Sequence, residues 1–100
     1  MLKNFQTYQL ALKFYKETRK LKLKGEIKDQ LNRASLSIVL NLAEGSGKES
    51  TKDRKRFFQM AFCSIREVQA ILEILENSEM TASMDLVAAH CFKLIKSLPC

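Results

Sequence analysis

Apolar residues recur along this chain at the three- and four-residue steps that are typical of amphipathic helices. The two central segments show the pattern most clearly, at Ile27, Leu31, Ala34, Ile38 and Leu42, and then at Phe58, Ala61, Ile65, Val68, Leu72 and Leu75. The same spacing predicts four helices, over residues 4–23, 26–44, 51–77 and 82–98. Three glycines and one proline leave few residues that could end strands or form tight turns, which also favours an all-α fold.

Short loops between these segments predict that neighbouring helices run antiparallel, as an up-down-up-down four-helix bundle. Gly25 follows a lysine-rich stretch and is expected to stop the first helix. Gly45 is expected to end the second helix. Ser50 or Thr51, ahead of Asp53, is expected to cap the start of the third.

The second helix is apolar on nearly all sides from Ala34 onward, apart from one narrow polar stripe formed by Arg33, Ser37, Asn41 and Glu44. Because one bundle covers only part of a helix, the remaining apolar positions, among them Leu36 and Leu40, predict self-association. The stripe could be a ligand site or a ladder of hydrogen bonds in the core or at an interface. The sequence offers no second carboxylate, metal cluster or nucleophile–base pair to accompany it, which favours the structural role.

Composition narrows the class of protein further. One hundred residues, 46% apolar and 28% charged, predict a single globular domain. No stretch is suited to secretion or to crossing a membrane, and three cysteines without metal-type spacing predict a cytoplasmic protein with free thiols. Cys63 and Cys91 are expected to fill the core, and a solitary His90 gives no metal or catalytic site.

Residues 45–50 read GSGKES, which looks like the end of a phosphate-binding loop. That loop needs G-x-x-x-x-G-K-[ST] between a strand and a helix. Here Leu42 stands where the first glycine belongs, and Glu49 stands where a hydroxyl should meet magnesium. Because a helix precedes the segment, we interpret it as a turn between two helices and exclude a nucleotide site.

The net charge of +6 is distributed in blocks, since residues 67–85 carry acids and no base. In an up-down bundle, the second loop, the start of the third helix and the end of the fourth share one end. This end, the basic pole, is predicted to gather Lys48, Lys52, Arg54, Lys55, Arg56, Lys93 and Lys96. Such a cluster favours a polyanion such as RNA or DNA, bound through its phosphates.

The stretch QLNRASLSIVLNLAEGSGKESTKDRKRFFQMAFCSIREVQAILE resembles the small four-helix-bundle proteins encoded in intervening sequences of bacterial 23S rRNA genes. That family reads approximately Q-L-x-R-A-x-x-S-I-x-x-N-I-A-E-G-x-G, then a basic stretch, a phenylalanine and A-x-x-S-x-x-E. The matching residues are Gln30, Leu31, Arg33, Ala34, Ser37, Ile38, Asn41, Ala43, Glu44, Gly45, Gly47, Phe57 or Phe58, Ala61, Ser64 and Glu67. Leu42 replaces the usual isoleucine, and Lys48 stands where arginine is common.

This resemblance implies an antiparallel four-helix bundle that assembles as a ring-shaped pentamer. A related branch serves as an accessory factor to reverse transcriptases in diversity-generating retroelements, where a basic ring surface is thought to hold RNA or DNA. The family provides no catalytic residues, and most of its members have no established activity.

Two functions therefore compete. The first is a non-enzymatic, homo-oligomeric module that binds RNA or DNA, without cofactor, metal, membrane partner or small-molecule substrate. The second is a scaffold or accessory module whose basic face recruits an acidic protein. An enzyme ranks third because no catalytic constellation is visible.

Overall fold

The computed structural model describes residues 2–99 and contains four α-helices. They are α1 (Gln6–Thr18), α2 (Gly25–Ser46), α3 (Thr51–Leu75) and α4 (Ser78–Ser97), and a short 3-10 turn, Leu2–Asn4, precedes α1. Residues 2–99 contain no strand. The predicted all-α four-helix bundle is confirmed.

One hydrophobic core takes side chains from all four helices. The apolar repeat of α3 lies at its centre, since Phe58, Ala61, Ile65, Val68 and Leu72 are at most 1% exposed. Opposite them lie Leu31, Ile38 and Leu42 from α2, Met84, Val87 and Cys91 from α4, and Ala11 and Phe14 from α1. Burying one such large side chain stabilises the fold by about 1.5–3 kcal/mol, so the regular repeat determines which faces turn inward.

Contacts between helices show how the neighbours are paired. The α2–α3 pairs are Gly45 with Phe58, Ser37 with Ser64 and Gln30 with Glu67, and the α3–α4 pairs are Phe58 with Cys91 and Gln69 with Asp85. In each set, residue numbers fall in one helix as they rise in the other. These contacts fit an antiparallel arrangement of α2 with α3 and of α3 with α4, within a body of 40 × 22 × 19 Å.

The first connection differs from the prediction. α1 ends at Thr18 instead of residue 23. Beyond it the chain tightens into i→i+3 turns, in which the Lys20 amide donates to the Glu17 carbonyl and the Leu21 amide to the Thr18 carbonyl, both at 3.1 Å. Gly25 does not stop α1. It is the first residue of α2, with φ +70°, a left-handed conformation that glycine adopts without strain.

Gly45 does not end α2 either, since the helix continues to Ser46. Instead, Gly45 lies where α3 comes closest to α2. A Cβ at position 45 would lie 2.6 Å from Cε1 of the buried Phe58 ring. This glycine is therefore required for helix–helix contact, and Gly47 forms the cap.

The remaining two turns are short and well capped. The Asp53 amide donates to the Ser50 hydroxyl at 3.1 Å, which confirms Ser50 as the cap of α3. α3 ends with Glu76 in the left-handed conformation, φ 54°. The Asn77 amide donates to the Leu72 carbonyl, and the Asn77 side chain accepts from the Met80 amide. This second cap explains why α4 begins at Ser78, earlier than the predicted residue 82.

Candidate nucleic-acid interface

The structure brings several residues of the basic pole into direct proximity. Lys52, Lys55 and Arg56 line one groove of about 480 Å³ on α3, together with Pro99 from the end of the chain. Lys48 and Arg56 both contact the ring of Phe57. Lys93 and Lys96 lie on the last turns of α4 and are exposed to solvent.

Most of these cations lack an acidic neighbour. Lys48 pairs with Glu44 at 3.1 Å, and Arg56 lies 3.9 Å from Asp53, both on the protein surface. Within residues 2–99, no carboxylate lies within 4.0 Å of Lys52, Arg54, Lys55, Lys93 or Lys96. Because exposed ion pairs contribute only about 0–1 kcal/mol, the two pairs that form leave Lys48 and Arg56 available to other anions.

Arg54 differs from the other cations of the basic pole because part of its side chain is fully buried. This arginine is half-buried, and its Nε is fully buried with no hydrogen-bond acceptor among the described residues. It lines a cavity of about 260 Å³ whose other walls are Asn4, Phe5, Ser46, Phe58 and Leu94. The guanidinium thus contacts the interior of the bundle as well as solvent, and a substitution there would disturb more than surface charge.

The same cavity shows that the segment before α1 belongs to the basic pole. Asn4 and Phe5 pack there beside Ser46 and Leu94, which come from the ends of α2 and α4. Lys3, which is exposed, is therefore close to this end in the fold. Sequence reasoning did not include it, although the up-down order places the start of α1 at the same end as the start of α3.

Two aromatic rings accompany the cations, and sequence reasoning missed both. The Phe57 ring has Lys48 Nζ at 5.1 Å and Arg56 Cζ at 4.6 Å from its centroid. The Phe92 ring has Lys96 Nζ at 5.4 Å. The i, i+4 spacing of Phe92 and Lys96 on one helix was a usable signal, because residues four apart share a face.

The predicted polar stripe on α2 divides into two parts. Ser37 Oγ lies 2.9 Å from Ser64 Oγ of α3, and Asn41 Nδ2 donates to the Ser37 carbonyl and hydroxyl at 2.9 and 3.1 Å. The serine pair joins α2 to α3, whereas the two Asn41 bonds stay within α2. Arg33 and Glu44 are exposed, and Glu44 pairs with Lys48 instead. The stripe thus consists of a hydrogen-bonded half and a solvent-exposed half.

Apolar side chains remain on the outer surface of the bundle. On α2, Leu36 is 38% exposed and Leu40 is 57% exposed, and Met60 of α3 is 43% exposed. The remaining large ones are Ile74, Leu86 and Phe92. The expectation that α2 presents apolar surface beyond the core is confirmed, and self-association itself stays a prediction.

The cysteines occupy two different environments. Cys91 is buried, its Sγ donates to the Phe58 carbonyl at 3.6 Å, and burial raises the pKa of this thiol to about 12. Cys63 is exposed, so its prediction as a core residue was wrong. Cys100 lies outside the described residues.

A metal-binding cluster and a membrane-spanning helix are both absent from residues 2–99. No group of three or more His, Cys, Asp and Glu side chains there could hold a metal ion. No helix in this range has both the length and the apolar character needed to span a membrane. His90 is half-buried and belongs to no such cluster.

Comparison with curated proteins gives no match to this chain. Comparison with protein families gives one whose description is 23S rRNA-intervening sequence protein, and its match extends over residues 3–98. The match covers nearly the whole chain, including both the α2–α3 stretch that carries the resemblance and α4. The chain therefore belongs to the 23S rRNA-intervening sequence protein family.

Proposed function

We propose that this protein is a non-enzymatic, oligomeric module that binds RNA or DNA through phosphate contacts at the basic pole. The observation that carries this proposal is the set of cations at that pole without a carboxylate neighbour among residues 2–99, namely Lys52, Arg54, Lys55, Lys93 and Lys96. Buried or surface acids would normally offset such a cluster. Because no described carboxylate pairs with these five cations, they can attract an external polyanion.

Distance keeps the acids at the far end of α3 from neutralising this pole. Arg56 and Glu73 are separated by 17 residues of α3, which corresponds to about 26 Å along the helix axis. The Debye length is about 10 Å at 0.1 M salt, so exposed charges that far apart are screened from one another. Glu73 and Glu76, at the far end of α3, therefore leave the potential at the basic pole largely unchanged.

Self-association would repeat the pole around an axis and multiply its phosphate contacts. The exposed Leu36 and Leu40 support contact between copies of the chain, because apolar surface on adjacent helical turns favours burial. A ring of five follows from the family resemblance alone.

The test replaces Lys52, Lys55 and Arg56 by glutamine. Arg54 is left in place because its buried Nε would confuse folding with binding. The matched control replaces Lys20, Lys22 and Lys24, three exposed lysines near the α1–α2 connection, so that both variants lose the same charge. Affinity for a 20-nucleotide RNA of mixed sequence is measured by fluorescence anisotropy across 50–200 mM salt, a range in which phosphate contacts are lost steeply.

We expect the pole variant to bind RNA at least about tenfold more weakly. The slope of log K against log salt should become shallower by about 0.7 for each phosphate contact removed. The control should remain close to the unmodified protein. Equal losses in both variants would show that only net charge matters. Full binding by the pole variant would remove the nucleic-acid proposal and favour the scaffold that recruits an acidic protein.

A further inference from the structure

Phe92 is a large aromatic residue whose side chain lies outside the hydrophobic core. Its side chain is 52% exposed, whereas the adjacent Cys91 is fully buried. The ring lies beside Phe62 of α3, with centroids 6.3 Å apart and planes inclined by 51°. Phe62 is only half-buried, so the two rings form an aromatic pair at the surface between α3 and α4.

This aromatic pair continues the groove of the basic pole. The groove is lined by Lys52, Lys55 and Gln59, and the same helical face reaches Phe62 and Arg66 at steps of three and four residues. On α4, Lys96 lies one turn beyond Phe92, and its Nζ is 5.4 Å from the Phe92 centroid. Cations thus lie on both sides of an exposed aromatic surface.

We propose that Phe92 is a stacking platform for an unpaired base, so that the basic pole prefers single-stranded RNA or DNA to a duplex. This inference rests on the proposed function and names its substrate class. Every nucleobase has a π face, and a phenyl ring flanked by Lys or Arg binds it with little dependence on sequence. The flanking lysines bind the phosphates on either side of the stacked base.

Magnitudes favour a base over the ammonium group that now contacts the ring. An exposed cation–π contact changes an equilibrium constant by about 2- to 5-fold. Stacking of one base on an aromatic side chain changes it by about 5- to 140-fold. A base can therefore displace the exposed Lys96 ammonium from the ring, and the lysine is then free to contact a phosphate.

A duplex cannot use this surface in the same way. Its bases are stacked on each other, and extruding one of them requires unpairing and unstacking. The lysines of the pole bind phosphates of either form, so Phe92 supplies the difference between the two. The preference for a single strand should therefore disappear with the ring, while the charge-dependent part of binding persists.

The test compares Phe92→Ala with Leu86→Ala. Leu86 is the matched control because it lies on the same helix, is 51% exposed and has none of the predicted phosphate-binding lysines within one helical turn. Affinities are measured for an unpaired 20-nucleotide RNA and for a duplex of the same sequence. We expect Phe92→Ala to lower single-strand affinity by at least about 5-fold, with duplex affinity and the salt slope unchanged, because no charge is removed.

A second variant provides a direct signal of stacking. The chain contains no tryptophan, so Phe92→Trp introduces a single indole at this position. Its fluorescence should be quenched by the single strand and not by the duplex. Light scattering on Phe92→Ala should show the same subunit number as the unmodified protein.

Three outcomes would overturn the inference. They are undiminished single-strand binding by Phe92→Ala, equal loss for single strand and duplex, and a reduced subunit number, which would make Phe92 a contact between copies. The lysine and arginine substitutions of the basic pole separate this failure from that of the proposed function. If they abolish binding and Phe92→Ala does not, the phosphate-binding function stands and base stacking is wrong.

Discussion

Replacing Gly45 by alanine would test the closest approach between α2 and α3. A Cβ at this position would lie 2.6 and 2.8 Å from Cε1 and Cδ1 of Phe58, and 3.1 Å from Cβ of Phe57. Ordinary carbon–carbon contacts are about 3.5–4.0 Å, so the helices or the ring must move by about 1 Å. The Phe58 ring could turn toward the cavity that it lines, but the Phe57 Cβ is fixed to the α3 backbone.

Two opposing effects determine how much Gly45→Ala changes the free energy of unfolding. Inserting a methyl group into a well-packed contact destabilises a protein by about 1–3 kcal/mol. Alanine is preferred over glycine within a helix by about 0.5–1 kcal/mol, which offsets part of that loss. The difference is a decrease of at most about 2.5 kcal/mol in the free energy of unfolding, and we expect about 1–2 kcal/mol because the Phe57 Cβ cannot turn away. For a chain of this size, that decrease corresponds to a Tm lower by about 4–16 °C.

The assay is thermal unfolding followed by far-UV circular dichroism, at equal subunit concentrations because self-association would raise Tm. Gly47→Ala is the matched control, since its Cβ would come no closer than 3.6 Å to another described atom, the Glu44 carbonyl oxygen. Gly47 has φ −90°, which alanine adopts freely, so this variant should keep the original Tm or exceed it slightly. A Gly45→Ala protein as stable as the unmodified one would refute the close-approach argument.

Three other predictions follow from burial and charge. Leu40 is 57% exposed, so Leu40→Asp should lower the subunit number measured by light scattering and leave the helical circular dichroism spectrum unchanged. An unmodified protein that is already monomeric at micromolar concentration would contradict this prediction. Replacing all three cysteines by alanine should preserve RNA binding, and its loss in a folded variant would indicate a metal or redox role. Because burial raises the pKa of Cys91 from 9.0 to about 12, the unfolded chain releases this proton first as pH rises. Between about pH 9 and 12, the free energy of unfolding should thus fall more steeply in the unmodified protein than in Cys91→Ala. The difference between the two slopes is at most about 1.4 kcal/mol per pH unit, and urea titration at each pH measures it. Equal slopes would show that the thiol does not contribute.

The helices were predictable wherever the apolar repeat was uninterrupted. Phe58, Ala61 and Ile65 recur at three and four residues, and every one of them is buried. The same repeat shows why Cys63 is exposed. It lies two residues, or about 200° around the helix, from both Ala61 and Ile65, so its side chain points away from the core. The cap at Ser50 was predictable because it depends only on local hydrogen bonds.

The errors arose where a residue's role depends on another segment of the fold. In the sequence, Gly45 looks like a residue that ends a helix. Only the position of Phe58 on α3 shows that glycine is needed there for contact between α2 and α3. Arg54 belongs to the predicted basic block, but its partial burial depends on Asn4 and Phe5 packing over the same end. The charge of the candidate site could thus be read from the sequence, whereas the arrangement of its aromatic rings and cavity could not.

The compact connection between α3 and α4 has a consequence for the order of folding. Asn77 completes the end of α3 through its amide and starts α4 through its side chain, so only two residues separate the helices. Closing so short a loop loses little chain entropy, whereas α1 must meet α4 across most of the sequence. We expect the α3–α4 hairpin to gain protection first in pulsed hydrogen exchange and α1 to dock last. Asn77→Ala should accordingly slow folding, while substitutions on the buried face of α1 should chiefly accelerate unfolding.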